Sequence, residues 1–312
     1  MRVLVTGASG LLGINLALEA AKEHTVFGLV NHLSIRAEAF EVIQADLLIE
    51  GALERVLDQV QPDWVIHCAA LAILDTCEVD PEKARKINTE IPTRLAMQLV
   101  SPVVSSGARL LHISTDSVFD GQRGNYTEDD PPNPLSVYAK TKFDGEVAVL
   151  AANPQALIAR VNMIGWSIIG TRSLSEFFFN NLRAGNQVMG FTDVFFCPLL
   201  VNDLAKLLLK MLEMNLTGLY HVVSSDSLSK YDFGVRLAKL FELDDSKITP
   251  TSVEKSGLKA ARSPRLTLNV NKLTSALNES PHDVITGLIR LYELYLQGYP
   301  EYLRSLGRIA PG

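Results

Sequence analysis

Apolar residues fall in short blocks along the first half of the chain, at 2–6, 26–30, 64–68 and 110–114. Between them lie stretches at 11–23, 51–59 and 81–99 whose apolar positions recur with helical spacing. A third short strand precedes Asp46. Strands that alternate in this way with helices predict a parallel sheet covered on both faces. A further helix is expected over 136–150, where Pro131-Pro132-Asn133-Pro134 breaks the chain and Ser136 can cap. The strand 157–162 follows and closes the core. Beyond it the alternation fades, and 165–198 and 223–312 read as helices without matching buried strands. The expected fold class is α/β: a doubly wound parallel sheet over 1–164, to which 198–222 returns, and a smaller C-terminal α/β lobe made of 165–197 and 223–312, set over the ends of the sheet.

Composition narrows the partners. The chain has 312 residues, 47% of them apolar, and a net charge of −6 with the basic residues scattered. That distribution argues against nucleic acid and anionic membranes as partners. No run of about 18 uncharged apolar residues occurs, and Met1-Arg2 leads straight into a strand, so a cytoplasmic protein is expected. Cys68, Cys77 and Cys197 are odd in number and lack the spacing of a zinc or redox pair, which predicts reduced thiols, two of them buried. No metal is expected.

The first chemical motif is Gly7-Ala8-Ser9-Gly10-Leu11-Leu12-Gly13, entered from a strand and leading into a helix. Gly7 permits a tight turn, Gly10 lets backbone approach a pyrophosphate, and Gly13 lets helix pack on strand, while the helix N-terminus attracts phosphate charge. This placement predicts a Rossmann-type dinucleotide-binding domain over 1–164 and a substrate-binding lobe in the remainder. NAD enzymes usually carry an acid at the end of the second strand, whereas here that position is Asn31. Asn31, His32 and Arg36 would tolerate or attract a 2′-phosphate, so NADP is preferred over NAD; Arg36 reads equally as a surface residue of a loop. Asp46 either accepts a hydrogen bond from an adenine amino group, with Leu47 packed on the ring, or caps the helix beginning near Gly51. Cys68, Ala69 and Ala70, small residues at a strand end, permit close approach of a ribose or nicotinamide. His67, within the same strand, reads as a satisfied core residue rather than an acid.

The second motif is Tyr138 with Lys142, four residues on and therefore on the same helix face, downstream of the hydroxyl-bearing run Ser114-Thr115-Asp116-Ser117. A phenol, an ammonium and a hydroxyl are the groups needed to protonate a carbonyl oxygen while a cofactor delivers hydride. The nearby ammonium is expected to lower the phenol's pKa toward neutrality. Arg262 and Arg265, beside Pro264, either grip a diphosphate or are ordinary surface charge.

These motifs, with Ser114-Thr115-Asp116-Ser117-Val118-Phe119-Asp120-Gly121, Pro132-Asn133-Pro134, Tyr138-Ala139-Lys140-Thr141-Lys142 and Gly145-Glu146, resemble the extended short-chain dehydrogenase/reductase family, and within it the dTDP-4-dehydrorhamnose reductase group. The resemblance covers essentially the whole chain. It implies Thr115, Tyr138 and Lys142 as catalytic residues, Lys142 also anchoring the nicotinamide ribose, with Asn88 at the cofactor. It implies Asp116, Val118, Phe119, Met163 and Arg262 at the substrate, a nucleotide-linked 4-keto-deoxysugar reduced with NADPH or NADH, and a monomer or homodimer. Dehydratases of the family carry an Asp-Glu pair where this chain has Asp116-Ser117, so dehydration lacks its base. Met163 stands where the rhamnose-forming enzymes usually bring a Trp to the sugar. The same group also contains the NADP-binding regulatory subunit of methionine adenosyltransferase, and sugar-nucleotide epimerases lie nearby, so both remain alternatives.

Overall fold

A computed structural model of the chain describes residues 1–101, 107–255 and 263–307. Six strands build most of the main sheet: β1 (Arg2–Thr6), β2 (Thr25–Val30), β3 (Glu41–Gln44), β4 (Trp64–His67), β5 (Arg109–Thr115) and β6 (Leu157–Val161). The seventh is Gly218–Val222, and the order across the sheet is Gly218–Val222, β6, β5, β4, β1, β2, β3, every pair parallel. This is a Rossmann-type α/β fold. Residues 218–222 therefore return to the large sheet.

Side chains on β1 alternate between two cores. Val3 and Val5 join the apolar layer under α1 (Leu11–Ala20), and Leu4 joins the layer under α2 (Ala52–Val60). Both faces are thus buried, which is why the strands read as apolar blocks. Strand order reverses between β1 and β4, so the connections leaving these two strands diverge and open a crevice at their carboxyl ends.

The expected helix 81–99 is interrupted. After the short α3 (Leu74–Val79) it begins as α4 (Pro81–Arg85), widens into a π-type turn at Lys86–Glu90 and resumes as α5 (Ile91–Val100). The helix between β5 and β6 is α6 (Val137–Ala152). Beyond β6 lie α7 (Leu174–Arg183) and α8 (Val201–Glu213), the latter packed along α1. The C-terminal region also contains strands that periodicity did not reveal. Val188–Phe191 pairs with Ile248–Thr251, and Phe195–Phe196 lies between Leu228–Ser229 and Arg265–Leu266. Strands of two to four residues are too short to show a period. Among the described residues no helix is long and apolar enough to cross a membrane, all three cysteines are free, and no group of three or more His, Cys, Asp or Glu could hold a metal.

Candidate active site

The crevice begins with what is missing from the glycine turn. Gly7 has φ +69°, and a Cβ there would lie 2.8 Å from the Ala69 backbone, so the loop after β1 rests directly on the chain leaving β4. A Cβ at Gly13 would lie 2.1 Å from the Gly7 carbonyl oxygen, and the Gly10 amide closes the turn onto that same oxygen at 2.8 Å. The first turn of α1 is therefore pulled against the strand end, and its residues Leu11, Leu12 and Gly13 line the crevice. These residues fit a dinucleotide's pyrophosphate.

A cavity of about 750 Å³ runs from this loop to the ends of β5 and β6. Gly7, Gly10, Leu11, Leu12, Gly13, Cys68 and Ala70 line it at one end, and Thr115, Asp116, Tyr138, Lys142 and Met163 at the other. Ala69 supports the glycine turn instead, and Ser9 is a half-buried residue within that turn. Each element delivers its group for a local reason. Ser136 caps α6, its hydroxyl accepting from the Ala139 amide at 3.2 Å, which sets the helix phase that turns Tyr138 and Lys142 inward together. Thr115 ends β5, where its hydroxyl accepts from the Ser117 amide at 3.2 Å and donates to Asp116 at 3.1 Å.

Electrostatics at these groups differ from the expectation. The Tyr138 phenol is pushed up to about 12, chiefly by burial and also by the nearby Asp116 and Cys77, while its hydrogen bond with Thr115 pulls the other way. The lowering expected from Lys142 does not occur, because the ammonium is turned to the strand, donating to the Ile113 carbonyl at 2.6 Å. Lys142 is itself held down at about 8 by burial, against the opposing pull of Glu146 and Cys68. Asp116 is raised by burial, although Asn162 (2.5 Å), Thr115 and Ser117 all donate to it.

Beneath the cleft lies a buried ion pair. Glu146 accepts from Ser114 Oγ at 2.5 Å and from Arg160 at 2.7 and 3.0 Å, and the guanidinium lies 4.9 Å from the Phe119 ring. Phe119 and Val118 are fully buried in a small core with Tyr126, so the expectation that they touch substrate is corrected: they back the site from behind. Asn88 is corrected likewise. Its amide is consumed in holding the chain after β4, accepting from the Leu71 amide at 2.9 Å and donating to the Leu71 carbonyl and Thr141 at 3.1 Å. The wider π-type turn is what aims it there. Leu47 is buried in the core over α2 rather than free to pack on a ring, and Asp46 accepts from the Leu48 amide at 2.9 Å in the turn before that helix.

Asn31, His32 and Arg36 are exposed just after β2, beside the glycine turn in the sheet order and outside the cavity's lining. His67 is a core residue as expected, bonded to Thr6 through Nδ1 at 2.8 Å, but it is not fully satisfied, because its buried Nε2 has no hydrogen-bond partner among the described residues. Arg265 is exposed at the start of its short strand, and Arg262 lies outside the described residues.

Several lining residues escaped the sequence reading. Asn162, one residue past β6, was reachable from its position at a strand's carboxyl end. Ile169, Thr171 and Arg172 come from an irregular segment that no periodicity marks. A second cavity of about 320 Å³ continues from Asp116, Ser117, Asn162 and Met163 toward Phe195, Phe196 and Lys230, residues of the short-stranded lobe.

The model of the RmlD substrate binding domain family matches residues 1–295. Similar curated proteins include the probable low-salt glycan biosynthesis reductase Agl14 of Haloferax volcanii, 32% identical over 89% of this chain and 92% of the relative. The methionine adenosyltransferase 2 subunit beta of Danio rerio is 30% identical over 87% of this chain and 84% of its own. Among solved structures, a hypothetical dTDP-4-dehydrorhamnose reductase from Sulfolobus tokodaii superposes with a TM-score of 0.80 at 29% identity, covering 92% of this chain and 99% of that one. The dTDP-4-dehydrorhamnose reductase of Bacillus anthracis in complex with NADP gives 0.80 at 25% identity, covering 94% and 98%.

Proposed function

The chain belongs to the RmlD substrate binding domain family, and from that premise we propose that it is an NAD(P)H-dependent reductase acting on the 4-keto group of a nucleotide-linked deoxysugar, with dTDP-4-dehydrorhamnose as the substrate and dTDP-L-rhamnose or a close relative as product. The observation that carries this reading is the meeting of Thr115, Tyr138 and Lys142 in the cleft that begins at the glycine turn. The dinucleotide, held at Gly7–Gly13 and over Cys68 and Ala70, supplies hydride when bound. Asn31 in place of an acid favours NADP as that dinucleotide.

The protein's own groups handle the proton. With a pKa near 12 the Tyr138 phenol is fully protonated at neutral pH, as a donor to a forming alkoxide must be. Thr115 has a single hydroxyl proton, donated to Asp116 at 3.1 Å, and turning that proton to the same oxygen would give the carbonyl its second donor. Lys142 keeps a positive charge inside the cleft, where it favours developing negative charge and would hold ribose hydroxyls. Asp116 is the sole carboxylate among the described residues lining the cavity, and Ser117 spends its hydroxyl on it, so the base that elimination of water requires is absent.

Mixing the purified chain with dTDP-4-dehydrorhamnose and NADPH or NADH tests the proposal; absorbance of the reduced nicotinamide should fall. Absence of turnover with both cofactors refutes the reductase reading. It would favour the binding role suggested by the curated relatives that are subunits of methionine adenosyltransferase.

A further inference from the structure

Residues 167–173 form a strap along the cleft, and its shape is fixed from beneath. Glu176, 1% exposed, accepts from the Ser167 amide (2.6 Å) and hydroxyl (2.9 Å), the Arg172 amide (2.7 Å) and the Ser173 amide (3.1 Å). Ser173 Oγ donates to the Gly165 carbonyl at 2.7 Å, and Asn180 donates to that of Gly170 at 2.7 Å. The root of the strap is also tied to the glycine turn's helix. Asn15, in the first turns of α1, donates both to the Leu11 carbonyl (2.8 Å) and to the Trp166 carbonyl (3.0 Å). The strap therefore starts against the same helix end that receives the pyrophosphate.

It brings Arg172 into the cavity lined by Gly7, Gly10 and Gly13. Two cations line that cavity among the described residues, and they differ. The Lys142 ammonium already donates to the Ile113 carbonyl, whereas the Arg172 guanidinium makes no hydrogen bond or ion pair with the described residues. An unpaired guanidinium has five donors in a fixed fork that matches phosphate oxygens. The helix end supplies about half a positive charge, too little to balance a diphosphate alone.

We infer that Arg172 binds the diphosphate of the dinucleotide, with Glu176 as the residue that positions it. The inference rests on the dinucleotide reading of the cleft given above. Because the Arg172 backbone is already hydrogen-bonded to a buried carboxylate, less freedom is lost when the side chain closes on its anion.

The test is direct binding of NADPH and of NADH to the full-length wild type and to Arg172→Ala, measured by titration calorimetry in the absence of substrate. Loss of one charge-assisted contact should weaken both dinucleotides equally, by roughly 10-fold to 100-fold, and make binding less sensitive to salt. Unchanged affinity for both would overturn the inference. A loss confined to NADPH would overturn it too, by placing Arg172 at the 2′-phosphate. Failure of the wild type to bind either dinucleotide would remove the underlying reading of the cleft, a result distinct from failure of Arg172 alone.

Discussion

Tyr138 shows how one side chain's chemistry depends on surroundings that spacing does not encode. Its position four residues before Lys142 was legible, because a helix puts such residues on one face, but the direction of its pKa was not. Burial and the carboxyl of Asp116 raise the phenol, and the ammonium that would oppose them is drawn to a strand carbonyl. Removing the hydroxyl isolates its role. Tyr138→Phe should cut turnover by roughly 100-fold to 10,000-fold, the range for loss of a positioned acid, while NADPH affinity stays within about 2-fold of wild type. Steady-state rates and a binding titration on the same preparation check this. Activity near the wild-type level would assign the proton to another group. Asn88 and Phe119 carry the complementary lesson: both belong to motifs near the chemistry, yet one is used up in holding a loop and the other is a wall of the core.

At the scale of elements, α6 carries the site, and its placement depends on two small residues. Ser136 satisfies an amide at the helix start, so Ser136→Ala should cost about 1 kcal/mol, read from a denaturant midpoint. Gly145 faces the π-type turn, and a Cβ there would lie 2.4 Å from the Asn88 carbonyl oxygen. In an exposed helix Gly→Ala stabilises by about 1 kcal/mol, but here backbone blocks the added carbon, and the clash wins. Gly145→Ala should lower the thermal midpoint, whereas a rise in that midpoint would show that α6 has room to move away. The proline break, the serine cap and the Tyr-Lys spacing make this helix legible in the amino-acid sequence. The π-type turn and the strap at 167–173 are not, because hydrogen bonds to residues outside each segment shape both, from Asn88 to the Thr141 hydroxyl in one case and from the Ser167 amide to the Glu176 carboxylate in the other.

For the whole molecule, the sheet was legible because both of its faces are buried and its central strands are therefore mostly apolar, while the lobe's strands are too short for any pattern. The same burial has a consequence for stability in acid. His67, His112 and His221 lie on three parallel strands and are 1%, 0% and 0% exposed. Burial is the main reason that His67 and His221 are held near 3 and His112 well below the usual histidine range; Lys142 adds to the effect at His67 and His112, and Arg160 at His221. Unfolded, all three would titrate near 6.5, so below about that pH the unfolded chain binds up to three protons that the native fold does not. Stability must then fall as pH drops, with a slope approaching about 4 kcal/mol per pH unit, offset in part by Asp116, whose raised pKa lets the native state gain a proton first. Urea unfolding at pH 7, 6 and 5 should show this decline. In His112→Leu, which replaces a ring with no hydrogen-bond partner among the described residues, the slope should lessen by about one proton's worth. A stability that stayed level from pH 7 to 5 would mean that these imidazoles take up protons in the native state, and that the sheet between β4 and the strand Gly218–Val222 opens more readily than its burial implies.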